Sequence, residues 1–396
     1  MRGRPRLLGR GAALLGAAVL LAACGSSDGG APAGRDVARG SSDWPLRVPL
    51  ATSAETPSAL FAAVPMGHLS QPLETFWQLF VRRPGSPTWL NRTSLGIATN
   101  GGLLLAPAAS GSLAVGTRPA NKLEFSALAS TDDGGRSWLA LPPVAALADD
   151  VSAVAATPGG GVVVLAGGRR GEDVLVAGPG ATSASTLVTS AGLGAGTAGR
   201  ACGLVAIHAV AGSWGGDGPL VGAACGRPGV VGLFVRSGGA WQSAGARLPA
   251  ELSGKTEVLA LFPSRSGVTA LVAVLGPGGV SLVAATSRGP SAGWSFSAPL
   301  GLGRHPRLVS LGPAGAAGSP FVVWSDGPGL RASLLAGLAG WRSLPAPPAG
   351  TETLATTGTV EALSVHDTRF TVWRLRSQSW TVVQQTTVPI EFGSSG

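Results

Sequence analysis

The stretch Thr131-Asp132-Asp133-Gly134-Gly135-Arg136-Ser137-Trp138 decides how most of this chain is read. Its tryptophan belongs to a series. Trp89, Trp138, Trp241, Trp294, Trp341 and Trp380 each open a short strand-like run after a turn-forming segment, at separations of 49, 103, 53, 47 and 39 residues. The gap of 103 spans two periods and contains Ser185-Thr-Leu-Val-Thr, the same pattern without its tryptophan. Short apolar runs bounded by Gly, Pro, Ser and Asp fill the intervals; residues 257–262, 268–275 and 280–286, for example, precede the Trp294 run. No stretch after the first thirty or so residues holds a helical period for long, so the pattern is that of an all-β chain.

Four strands in each period of about fifty residues is the pattern of a β-propeller blade. Counting the tryptophan-free repeat gives seven four-stranded blades over residues 46–392, although six or eight also fit. The first blade takes its outer strands from residues 74–83 and 88–93 and its inner ones from 58–66 and 44–50. The last run, 388–392, is an alternative source for that blade and would then close the ring.

Thr131-x-Asp133-x-Gly135-x-Ser137-Trp138 resembles the Asp-box, or BNR repeat, of sialidases, sortilin-type receptors and photosystem-assembly propellers. The resemblance implies that the aspartate caps its own turn between the third and fourth strands of a blade. Glycine would take the strained backbone and tryptophan would pack between sheets. Only this repeat matches in full. Around Trp241 and Trp294 a glycine and the tryptophan remain but the aspartate is lost. These positions are read as structural.

The N-terminus carries a different signal. Arg2, Arg4, Arg6 and Arg10 precede an uncharged run over residues 11–23, too short to cross a bilayer. Leu21-Ala22-Ala23-Cys24-Gly25 resembles the lipobox of bacterial lipoproteins, which implies a signal peptide over residues 1–23 and a lipid on Cys24. Residues 24–45 read as a flexible tether. The expected address is the extracytoplasmic face of the cell membrane, with the lipid as anchor. The formal net charge of +9 falls to +5 once the four leader arginines are removed, and the remainder favours acidic envelope partners. Gly (62) and Pro (30) together form about 23% of the 396 residues, just below the level at which disorder is the default.

Cys202 and Cys225 are the cysteines left after Cys24, and an exported chain meets an oxidising compartment. Each lies on an expected strand, residues 202–210 and 220–225, so antiparallel neighbours bring them within bonding reach. A disulfide is expected; two buried free thiols are the alternative. His68, His208, His305 and His366 form no ligand-spaced cluster with them, so no metal and no cofactor is expected.

The resemblance suggests a sialidase, but retaining sialidases use a tyrosine nucleophile and this chain has no tyrosine. Gly289-Pro-Ser291-Ala-Gly293 leads into a strand rather than a helix, which does not suit a nucleophile elbow. Gly194-x-Gly196-x-x-Gly199 is read as a connection between blades rather than a dinucleotide fingerprint. His366 and Asp367, neighbours near a strand end, are expected to point to opposite faces. Asp132-Asp133, Asp149-Asp150 and Glu172-Asp173 are read as solvated turn residues. No basic-aromatic stripe suggests nucleic acid. The reading is a monomeric, membrane-anchored binding or scaffold module for an acidic envelope glycan or an envelope protein. The alternative is a divergent glycan-active hydrolase or lyase drawing its acids from Glu257, Glu352, Glu361 or Asp150.

Overall fold

The computed structural model describes residues 45–389, except 72–73, 94–99, 109–110, 119, 121–127, 141–150, 169–170, 180, 215–217, 265–266, 291, 315–318 and 357. Cys24, the leader, Asp149 and Asp150 lie outside the described residues.

The chain runs as successive antiparallel meanders. The first holds β1 (Thr52–Thr56), β2 (Ala59–Gly67), β3 (Thr75–Arg82) and β4 (Leu90–Asn91). The second holds β5 (Gly102–Pro107), β6 (Leu113–Arg118), β7 (Leu128–Thr131) and β8 (Leu139–Ala140). The third holds β9 (Val151–Ala156), β10 (Val162–Gly168), β11 (Gly171–Ala177) and β12 (Ser185–Thr189). A nine-stranded sheet follows and contains two meanders. These are β13 (Leu204–Ala211), β14 (Leu220–Cys225), β15 (Gly232–Ser237) and β16 (Ala240–Ser243), then β17 (Lys255–Ser264), β18 (Gly267–Gly276), β19 (Gly279–Ser287), β20 (Ser295–Phe296) and β21 (Leu300–Gly303). Among the described residues their strands pair where Ala224 and Cys225 meet Glu257 and Thr256. The sixth meander is β22 (Arg307–Ala314), β23 (Ser319–Ser325), β24 (Arg331–Leu335) and β25 (Trp341–Ser343). The last is β26 (Thr351–Thr356), β27 (Val360–His366), β28 (Arg369–Arg376) and β29 (Ser379–Thr387).

Each first strand touches the first strand of the next meander, and β26 touches β1, so the seven first strands form a closed inner ring among the described residues. The core is divided the same way. Phe61, Leu79 and Val81 of the first meander pack on Leu103, Leu113 and Val115 of the second. Equivalent apolar layers fill each later interface, and a last layer sets Phe80 and Trp89 against Leu363, Phe370 and Val372. β2, buried at all nine positions, shows why its sequence Ala-Leu-Phe-Ala-Ala-Val-Pro-Met-Gly barely alternates: both faces of the strand meet a neighbouring sheet.

Three expectations need correction. The inner strand of the first meander is β1 rather than residues 44–50; residues 45–50 form no strand and enter the centre of the ring. Residues 388–389 do not complete the first sheet, whose strands all lie between Thr52 and Asn91; residues 390–392 lie outside the described residues. The first and last meanders instead close on side chains, with the Phe80 and Phe370 rings stacked 3.7 Å apart at 5°. Gly194–Gly199 does connect two meanders, but through two short helices, α1 (Ser190–Ala195) and α2 (Thr197–Cys202), so Cys202 ends a helix and does not open the strand expected over residues 202–210. Thr189 caps α1, its Oγ1 accepting from Gly192 N at 2.9 Å, and Gly203 ends α2 at φ 64°. A capped pair of single turns is too short to leave a helical period in the sequence.

Cys202 and Cys225 form a disulfide with Cα atoms 5.2 Å apart. It ties the end of α2 to β14 and closes a loop of 23 residues, a constraint of about 3 kcal/mol in the chain-entropy account.

Candidate binding site in the central channel

The recurring tryptophans lie at the outer edge, away from the channel. Trp294 Nε1 donates to Ala244 O at 2.7 Å, Trp341 Nε1 to Ala298 O at 3.1 Å and Trp380 Nε1 to Pro345 O at 3.3 Å. Each acceptor lies just after the fourth strand of the preceding meander, so these indoles staple one sheet to the next. Trp241 packs on the layer between the third and fourth meanders, and Trp138 on that between the first and second. β12, the tryptophan-free Ser185 repeat, is the fourth strand of its sheet.

The Thr131–Trp138 turn joins β7 to β8. Asp133 Oδ1 accepts from Thr131 Oγ1 (2.9 Å) and Arg136 N (2.8 Å), and Oδ2 accepts from Ser137 Oγ (2.7 Å) and Ser137 N (3.0 Å). Gly135 N donates back to Thr131 Oγ1 at 2.9 Å. Gly134 and Gly135 sit at φ 73° and 76°, where a Cβ is strained. The Ser137 hydroxyl, followed by the other donors, holds the Asp133 carboxyl far below the usual carboxylate range.

Trp89 differs from the others. It is almost wholly buried, and its Nε1 donates to Glu361 Oε2 at 3.0 Å across the junction of the first and last meanders. Glu361 Oε1 also accepts from Arg82 Nη1 at 3.2 Å and from Arg374 Nη2 and Nε at 2.8 and 3.1 Å. Gln384 brackets Trp89, accepting from its N at 2.7 Å and donating to its O at 2.8 Å. Glu361, on β27, is therefore part of the junction and not of a channel mouth.

The channel lies inside the first strands. Five of them carry a bulge, so that Ser152, His208, Leu259, Val309 and Glu352 have no partner on the second strand. Bulges re-aim side chains. A cavity of about 180 Å³ runs along the axis, with walls from six of the seven first strands and from Val48, Pro49 and Leu50. Most of its lining residues are apolar, including Leu104, Val154, Leu261 and Phe262; Thr52, Ser53, Ser152 and His208 are the polar ones.

Glu257 is completely buried beside this cavity. Its Oε2 accepts from Leu46 N at 2.7 Å, pinning the incoming N-terminal segment, and its Oε1 lies 3.4 Å from His208 Nδ1. Burial pushes the Glu257 carboxyl up to about 7, with the Leu46 amide pulling the other way. Burial likewise lowers His208 to about 4. Between about pH 4 and pH 7 the pair is therefore uncharged. Glu352 is also raised to about 7 by burial, opposed by Arg307. Glu172 stands on β11, not in a solvated turn as expected, and burial raises it to about 6 against hydrogen bonds from Ser152 and the Ile207 amide. The expected separation of His366 and Asp367 also fails. Asp367 turns the β27–β28 hairpin at φ 53°, strand alternation ends there, and its Oδ2 lies 3.3 Å from His366 Nδ1. Both side chains are exposed. Among the described residues no group of three or more His, Cys, Asp or Glu side chains is placed to hold a metal ion.

The carboxylates singled out in the sequence thus stand apart in their surroundings. Glu257 faces an imidazole and an amide, Glu352 an arginine, and Glu361 two arginines and an indole. In the sequence His208 stands out only as one of four histidines outside any ligand-spaced cluster. Its place became visible through the bulge in β13, which one sequence does not show.

The ring of four-stranded meanders around an axial channel is a β-propeller. It is similar to a Bacteroides fragilis protein described as a candidate 6-phosphogluconolactonase, with TM-score 0.52 and 10% identity over 84% of this chain and 96% of that one. A counterpart from Bacteroides uniformis gives TM-score 0.51 and 13% identity over 84% and 97%. A puromycin-hydrolysing peptidase of Mycobacterium tuberculosis gives TM-score 0.50 and 15% identity; 86% of this chain covers 53% of that one, about half its length. No family model and no curated protein matches. At such identities the likeness shows the fold alone.

Proposed function

We propose that this chain is a seven-bladed propeller held by a lipid on Cys24 at the extracytoplasmic face of the membrane. There it serves as a binding or scaffold module for an acidic envelope polymer or an envelope protein. The main support is the state of its buried carboxylates: each meets a cation, an imidazole or an amide, and the channel beside Glu257 is lined mostly by apolar groups. A glycosidase of the usual kind needs two carboxyl groups facing one bond. The Cys202–Cys225 disulfide suits an oxidising compartment. The lipobox resemblance supports the anchor, and the single Thr131–Trp138 match supports kinship with Asp-box propellers.

The second reading, a divergent glycan-active hydrolase or lyase, draws on the raised Glu257 and Glu352. A carboxyl protonated near neutral pH is what a general acid requires.

A thermal-shift screen of the chain against envelope glycans, acidic polysaccharides and Ca²⁺, with products followed in the same wells, separates the two. Saturable stabilisation without turnover is the expected result. Product release lost in Glu257→Gln or Glu352→Gln would establish the hydrolase instead. Palmitate labelling lost in Cys24→Ala tests the anchor.

A further inference from the structure

We propose that the cleft between the fifth and sixth meanders binds the hexuronate units of an acidic envelope polymer. This rests on the binding reading given above and adds where the polymer is held and which part of it is recognised. The cleft measures about 490 Å³, larger than the axial cavity and within the roughly 300–1,000 Å³ usual for ligand pockets. It is open to solvent, as the site of one unit in a longer chain has to be.

Its two walls differ in chemistry. On the fifth meander Leu271, Ala273 and Leu282 face the sixth and pack on Val322 and Trp324. The register of β18 on β19 continues without a bulge to Thr269, paired with Thr286, and Thr286 pairs in turn with Ser295 on β20. Residues two apart share a face of a strand, so these three hydroxyl side chains extend the same face beyond the apolar layer, and all three line the cleft. The opposite face carries Val268, Ala285 and Phe296 at the same height, packed towards the fourth meander. Thr269 is 8% exposed; its Oγ1 has no hydrogen-bond partner among the described residues and is not cut off from solvent. Across the cleft the sixth meander supplies Leu335 and the exposed Leu338. Trp341, the cross-strand neighbour of Leu335, donates to Ala298 O and holds the two walls together.

Arg288 supplies the charge. It is exposed, lines the cleft, and makes no ion pair or hydrogen bond among the described residues. No acidic side chain stands in the described lining. The Arg288 backbone is fixed from both sides. Gly267, at φ 138°, lies so close that a Cβ there would clash with Ser287 O and come within 2.8 Å of Arg288 Cα. Ser287 Oγ lies 3.0 Å from Gly289 O and 3.2 Å from Ala292 O, closing the turn that follows. A guanidinium takes a carboxylate through two parallel hydrogen bonds. A hexuronate offers that carboxylate, ring hydroxyls for Thr269, Thr286 and Ser295, and a C–H face for Leu335 and Leu338. A neutral sugar lacks the first, and an acidic peptide lacks the row of hydroxyls.

The test titrates the full chain with glucuronate, glucose, polygalacturonate and poly-glutamate by calorimetry, in wild type, Arg288→Gln and Thr269→Val. The first substitution is at an exposed position and the second is isosteric, so both variants are expected to fold, which thermal melts check. Glucuronate is expected to bind wild type saturably and about tenfold more tightly than glucose. Arg288→Gln should remove that preference, and Thr269→Val should weaken both sugars about fivefold. Equal affinity of wild type for the two sugars, or a glucuronate affinity unchanged in both variants, would overturn the site. Polygalacturonate held equally by all three proteins would overturn it and leave the binding reading intact. Glucuronate held through Arg288 without any binding of polygalacturonate would keep the site and overturn the polymer. Tighter binding of poly-glutamate than of polygalacturonate, lost in Arg288→Gln and kept in Thr269→Val, would overturn the sugar in favour of an acidic protein.

Discussion

Glu361, between the first and last meanders, and Glu257, beside the channel, are both wholly excluded from solvent, yet their surroundings are opposite. Glu361 receives four hydrogen bonds, from Arg82, Arg374 (two) and Trp89. Glu257 receives one, from the Leu46 amide, and one of its oxygens makes none. A buried charge is tolerated when ion pairing and hydrogen bonds reach both of its oxygens, and the closing junction meets that condition. There the ring joins without a shared strand, and side chains, together with one backbone bond from Gly67 N to Asp367 O at 2.9 Å, fix the last sheet against the first. Beside the channel no such duty exists, and the acid is left to burial, which keeps its proton on.

Removing one acid should break this comparison most visibly. Glu361→Ala strands Arg82 and Arg374 and is expected to cost about 3–5 kcal/mol in denaturant unfolding; a loss below 1 kcal/mol would show that the junction does not depend on the carboxylate. The next effect separates charged from neutral acceptors. Trp89→Phe should cost about 2 kcal/mol, because its indole meets a carboxylate, whereas Trp294→Phe, which loses a carbonyl partner, should cost about 1 kcal/mol from the lost hydrogen bond.

Glu257→Gln is expected to act in the opposite direction. The folded-state value of about 7 lies above the ordinary 4.5, so the unfolded chain releases its proton first as pH rises. The contribution of Glu257 is then fully present below pH 4.5 and lost as pH climbs through 7. The amide keeps an acceptor for Leu46 and does not titrate, so the variant should gain on the order of 1–2 kcal/mol over wild type at pH 8 and nothing at pH 4. Unfolding at both pH values measures this; Glu172 and Glu352, raised in the same sense, leave a residual slope. Asp133→Ala should have the smallest effect, a slight fall in Tm, since its turn is exposed. Its carboxyl is depressed, so its contribution is present above the ordinary 3.8 and disappears as pH falls below it.

What could be read in advance was short in range. The turn at Thr131–Trp138 caps itself within eight residues, and the fourth strands marked by tryptophan, including the tryptophan-free Ser185–Thr189, lie where the repeat placed them. The disulfide was legible because Cys202, at the end of α2, leads directly into β13, which pairs with the strand that carries Cys225. Residues 45–50 and 388–389 misled because a short apolar run carries a strand pattern whether or not an edge is free to receive it.

By itself the sequence determined an all-β ring of repeating meanders and the turns that stop each strand, because alternation, turn chemistry and local pairing act between residues close along the chain. Only the tertiary structure decided which acids are structural and which border the channel. Arg82 meets Glu361 across 279 residues and Leu46 meets Glu257 across 211. Such contacts depend on how many sheets precede the closure and how each packs on the next. That is a sum over the whole ring which no local pattern contains.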